Sequence, residues 1–113
     1  MSRDENNDLS KEVTQLHATL CQTLSDPTRI CILYALRGRA IKVSDLASEL
    51  DAAQSTISRH LKILRERRLV IANRHGTSIY YQLADERVLE ALDILRAVLA
   101  DILKNQVELA RVV

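Results

Sequence analysis

Apolar residues recur at helical spacing along most of this chain, and the pattern turns into short β-favouring runs only once. Leu9, Val13, Leu16 and Leu20 follow a 4-3-4 spacing. That spacing predicts a first helix with an apolar seam able to meet a partner helix. Ser25-Asp26-Pro27-Thr28 interrupts the seam. Asp is a good N-cap and Pro suits the first helical position, so a second helix starts here and buries Ile30, Leu33 and Tyr34. Gly38 stands where a C-cap is expected. Ser44 is then placed to cap a short third helix carrying Leu46, Ala47 and Leu50. The turn Asp51-Ala52-Ala53 follows, and Asp51 occupies a position suited to positive φ. Ala53 is a weak N-cap, so packing is expected to hold the start of the next helix.

That next helix, Gln54 to Leu64, is the most informative segment. Ile57, Leu61 and Leu64 fall at i, i+4 and i+7 and form one buried stripe. Gln54, Ser55, Thr56, Ser58, Arg59 and Lys62 remain for the other face. Short donors and cations are the side chains that reach base edges and phosphates in a major groove. Leu69–Arg74 and Ile79–Leu83 then flank His75-Gly76-Thr77-Ser78, which reads as a β-hairpin with Arg74, His75 and Gly76 at its tip. Asp85 is placed to open the last helix. Val88, Leu92, Leu95, Leu99, Ile102 and Leu109 recur along it, with Gln106 as the polar break in the heptad pattern. A chain this small has little other surface against which to bury that seam. A symmetric dimer through the first and last helices is therefore expected, with Leu16, Leu20, Leu92, Leu95, Leu99 and Ile102 at the interface. Residues 1–8 read as a flexible tail and 9–110 as one domain.

Composition agrees with a mainly α protein. The chain has 113 residues, enough for one domain. It lacks Phe and Trp and has one proline and two glycines, so its core is aliphatic and its turns are few. The net charge of +1 conceals a strong asymmetry. Residues 54–76 hold six Lys or Arg and one acid, a concentration expected where a polyanion binds. The polar, acidic N-terminus has no apolar signal core, and no apolar run is long enough to span a bilayer. Cys21 and Cys31 do not make a disulfide framework. The expected setting is the cytoplasm, without membrane contact.

These segments resemble the ArsR family of small winged-helix repressors, which includes many metal sensors. The matching text is Leu24-Ser25-Asp26-Pro27-Thr28-Arg29-Ile30, Val43-Ser44-Asp45-Leu46-Ala47, Ser55 through Leu64, Leu69-Val70 and the hairpin Arg74 to Tyr81. The resemblance runs from about Leu16 to Leu103. It implies a winged helix-turn-helix homodimer with two recognition helices in successive major grooves of operator DNA. It also implies wings on the backbone or minor groove, and an inducer that weakens binding. DNA contacts would come from Gln54, Ser55, Thr56, Ser58, Arg59, His60, Lys62, Arg74, His75 and Gly76. Arg68 is a departure, since the family often has glycine before its Leu-Val.

The family's familiar metal sites do not carry over. A Cys-x-Cys pair before Asp-Leu is replaced by Lys42 and Ser44, and a lysine ammonium repels cations. The second site needs histidine on the last helix, which has none after Asp85. No metal or other cofactor is therefore expected. Cys21 and Cys31 flank the Asp26-Pro27 corner and admit two readings: a thiol or soft-metal switch, or two small core-lining side chains. His17, His60 and His75 lie on different elements, with His60 read as a polar member of the recognition helix. No nucleophile–base pair, phosphate loop or acid pair has useful spacing, so catalysis is not expected. The remaining alternative class is a dimeric interaction module without DNA binding.

Overall fold

The structure is a computed structural model and describes residues 3–112. Helix α1 (Arg3–Leu16) runs into a π-helical turn (His17–Cys21) and a 3-10 turn (Thr23–Ser25). Then come α2 (Pro27–Ala35), β1 (Ile41–Lys42), α3 (Val43–Glu49), α4 (Gln54–Glu66), β2 (Val70–His75), β3 (Ser78–Leu83) and α5 (Arg87–Val112). Residues 3–8, expected as a tail, are helical; Met1 and Ser2 lie outside the described residues. The polar turns before Leu9 show no apolar periodicity, so spacing alone does not mark them as helix.

Local chemistry accounts for most boundaries. Asp26 Oδ1 accepts from the Thr28 N–H (2.8 Å), and Pro27 follows at the first helical position. Asp85 Oδ1 does the same for the Arg87 N–H (2.9 Å) at the start of α5. Asp51 takes φ +50 between α3 and α4. Helix α3 starts at Val43, so Ser44 lies inside its first turn and does not cap it. Pairing of Ile41 and Lys42 with β3 fixes an extended backbone up to Lys42, and the helix starts directly after it. Arg68 adopts φ +62, the left-handed conformation in which glycine is free of strain. That conformation explains the glycine expected at this position.

The sheet is antiparallel in the order β1-β3-β2, one strand more than the predicted hairpin. Val70 pairs with Leu83 and His75 with Ser78, leaving a two-residue loop. Gly76 has φ +65 at its first position, the pattern of a type II′ turn. The core packs Ile32 and Leu33 of α2 and Leu36 just after it against Leu46 of α3, then Ile57, Leu61 and Leu64 of α4, with Val70, Leu83 and Leu89 closing it.

The rest of the chain stands away from that core. The radius of gyration is 18.0 Å, against about 13 Å for a compact domain of this length. The accessible surface is 8388 Å², about 2000 Å² more than a compact monomer of this mass exposes. Among the described residues no helix is long and apolar enough to cross a membrane.

Candidate nucleic-acid interface

Helix α4 presents two faces with different chemistry. Ile57, Leu61 and Leu64 are fully buried and fix its roll against α2 and α3. Ser55, Arg59 and Lys62 recur at the same i, i+4, i+7 spacing about half a turn away and are exposed. Gln54 and Ser58 are also exposed, while Thr56 is half-buried on the flank. Ala53 starts the helix without a side-chain cap, so the first N–H groups and the positive end of the helix dipole stay open to an anion. His60 departs from the expectation. It is 7% exposed and packs inward, so it does not belong to the outer face. Its Nδ1 is buried without a partner.

The wing tip stands clear of the core. Arg74, His75 and Gly76 are all exposed. The His75 ring meets the edge of Tyr80 at 5.5 Å, which orients it across the hairpin.

Four arginines outside this surface meet acids. Arg37 donates to Asp93 Oδ2 (2.8 Å), Arg39 pairs with Glu49, and Arg87 with Asp85. Arg96 approaches Asp93 (3.6 Å) and lies over the Tyr34 ring. The Tyr34 hydroxyl donates to Asp93 (2.7 Å) and, with both arginines, holds that carboxyl below its usual range. By contrast Arg59, Lys62, Arg65, Arg67, Arg68 and Arg74 form no ion pair among the described residues. Six cations without acids make a field ready for a polyanion. Arg65 was not among the expected contacts. Its i+3 relation to Lys62 and i+7 relation to Ser58 could have found it; Tyr81, across a narrow cleft from them, depends on sheet register and gave no such signal.

The outer helices expose apolar surface. Leu16, Leu95, Leu99 and Ile102 are each about half exposed or more, as are Leu9, Val13, Ile94 and Val98. Leu92 is 6% exposed and belongs to the chain's own core, which removes it from the expected interface. Leu20 is half-buried against the same core. Heptad spacing cannot tell a residue covered by its own domain from one awaiting a partner.

Cys21 and Cys31 are both free and exposed, so neither lines the core. Cys21 borders an apolar cavity of about 400 Å³ with Leu24, Ile30, Tyr34, Leu92, Leu95, Arg96 and Leu99; Cys31 does not. Among the described residues no group of three or more His, Cys, Asp or Glu side chains is gathered as a metal cage.

Comparison with known proteins agrees with this geometry. The model of the bacterial regulatory protein, arsR family, matches residues 26–72, from the α2 cap into β2. The transcriptional regulator NmtR of Mycobacterium tuberculosis is 40% identical over 84 residues, which cover 74% of this chain and 69% of NmtR. The chain belongs to the ArsR family. Another match is the biofilm growth-associated repressor of Agrobacterium fabrum, 31% identical over 90 residues, covering 80% of this chain and 76% of that protein. Among solved structures, Rv0081 of M. tuberculosis superposes with a TM-score of 0.74 at 34% identity, covering 84% of this chain and 96% of that one. The homodimeric winged helix-turn-helix DNA-binding domain of Mb0332 from Mycobacterium bovis gives 0.73 at 26% identity, covering 87% and 91%. ArsR-family membership makes this chain a winged helix-turn-helix transcriptional regulator.

Proposed function

We propose that the chain is a homodimeric repressor that binds operator DNA and leaves it on a chemical signal. The observation that carries the DNA-binding reading is the exposed row Ser55, Arg59 and Lys62 on a helix locked to the core by its opposite stripe. Contacts to bases come from Gln54, Ser55, Thr56, Ser58 and Arg59, and Arg74, His75 and Gly76 rest on the backbone or minor groove. Dimerisation uses Leu16, Leu95, Leu99 and Ile102, whose exposure in one chain is otherwise unfavourable. The role is binding rather than catalysis.

The test is a gel shift on DNA upstream of the protein's own gene beside an unrelated duplex. Preferential retention of the first supports the reading. No shift on either duplex would leave the dimeric interaction module.

The exposure of Cys21 and Cys31 favours the thiol reading of the signal over the core-lining one. A thiol-reactive agent or soft metal at these residues would act at the corner between α1 and α2. Titration of the DNA complex with oxidant and with cadmium, for wild type beside Cys21→Ser and Cys31→Ser, tests it. Release that persists in both serine variants would place the signal elsewhere.

A further inference from the structure

We infer that the cleft between α4 and β3 seats a phosphate of the DNA strand that separates the major from the minor groove. The inference rests on the DNA-binding reading above. A helix in the major groove and a wing tip at the adjacent minor groove straddle one sugar–phosphate ridge. Whatever lies between helix and wing must face that ridge. Here it is a cleft of about 250 Å³ lined by Ser58, Lys62, Arg65, Glu66 and Tyr81.

The lining suits a phosphodiester. Ser58, Lys62 and Arg65 stand at i, i+4 and i+7, so a hydroxyl, an ammonium and a guanidinium share one flank of α4. Neither cation has an acidic partner among the described residues. Tyr81 lies on the central strand, paired with Ile41 on one side and Ala72 on the other, so its backbone is held from both directions. Its hydroxyl has no hydrogen-bond partner among the described residues. Glu66 is the one acid of the lining and leaves it with a single net positive charge. Ser58 and Lys62 thereby become backbone-positioning residues, which takes Ser58 out of the base-contacting set given above. Arg65 and Tyr81 join the DNA-contacting set.

The test uses the full chain with a labelled duplex from upstream of its own gene and an unrelated duplex of equal length. Arg65→Ala is expected to weaken both by the same factor and to flatten the dependence of log K on log salt by about one unit. Tyr81→Phe keeps the ring and removes only the hydroxyl. It should weaken both duplexes about three- to tenfold with an unchanged salt slope. Glu66→Gln should tighten both. Methylphosphonate substitution of single phosphates should find one position at which Arg65→Ala has no further effect. Wild-type affinity and slope in both Arg65→Ala and Tyr81→Phe, with wild type binding DNA, would overturn the phosphate seat alone. Absence of wild-type binding to either duplex would instead overturn the reading on which it rests.

Discussion

The outer face of α4 and the outer half of α5 are both exposed, and they differ in what exposure costs. On α4 the exposed groups are Ser55, Arg59 and Lys62, which water solvates well. On α5 they are Ile94, Leu95, Val98, Leu99 and Ile102, which water does not. A charged face can wait for its ligand at no loss, whereas an aliphatic face favours association whenever a second copy is present. On the proposed function the contrast predicts an order of events: chains pair first through α1 and α5, and the pair then meets DNA.

Leu95→Glu tests that order most severely. It places a charge in the aliphatic face and should give monomers in sedimentation. Operator affinity should fall by at least about 100-fold, because one half-site then binds without the other. An intact dimer would remove Leu95 from the interface. Leu92→Ala probes the other side of the boundary, three residues away. Leu92 is in the core, so the loss should appear as about 2–5 kcal/mol of folding stability in denaturant titration.

On the charged face, Arg59→Ala should leave the dimer intact and cost about 1–3 kcal/mol of operator binding. Equal losses on operator and unrelated DNA would show a phosphate contact only. Arg74→Ala at the wing should weaken all duplexes alike and lower the salt slope by about one unit. An unchanged slope would detach the wing from DNA.

The smallest effect concerns α5 itself. The Arg87 guanidinium and the Arg87 N–H hold the Asp85 carboxyl down to about 2 from its ordinary 3.8. A depressed carboxyl stabilises the fold above its ordinary value and loses that contribution as pH falls through its folded one. Thermal melts should therefore show a small loss between pH 3.8 and about 2 that Asp85→Asn abolishes.

Much of this was legible in the residues. The stripe Ile57-Leu61-Leu64, the Asp26-Pro27 corner and the positive φ of Asp51 all follow from spacing and local chemistry. His60 was legible too, standing three residues after Ile57 and four before Leu64, but its polar side chain argued against the buried side. Strand β1 was not, because two residues show no alternation. Nor was the division of α5 into a buried start at Leu89 and Leu92 and an open remainder, which depends on where α2 ends in space.

The π-helical turn resets the phase of the first helix. The Gln22 N–H bonds the His17 carbonyl five residues back (3.0 Å), so the turn holds one residue more than its neighbours. A regular α-helix advances about 100° per residue, so a turn that absorbs an extra one leaves the downstream chain behind an unbroken helix by about that angle. Residues on the two sides of the turn that share a line in the sequence pattern therefore point in different directions. Upstream, Leu9, Val13 and Leu16 face outward; beyond it, Thr23 is buried and Leu24 packs on the core. One continuous seam becomes two, the first free for another chain and the second folded into its own. Were His17–Cys21 wound as regular α-helix with the sequence unchanged, both would fall into phase, and the same side chains would then compete for one surface.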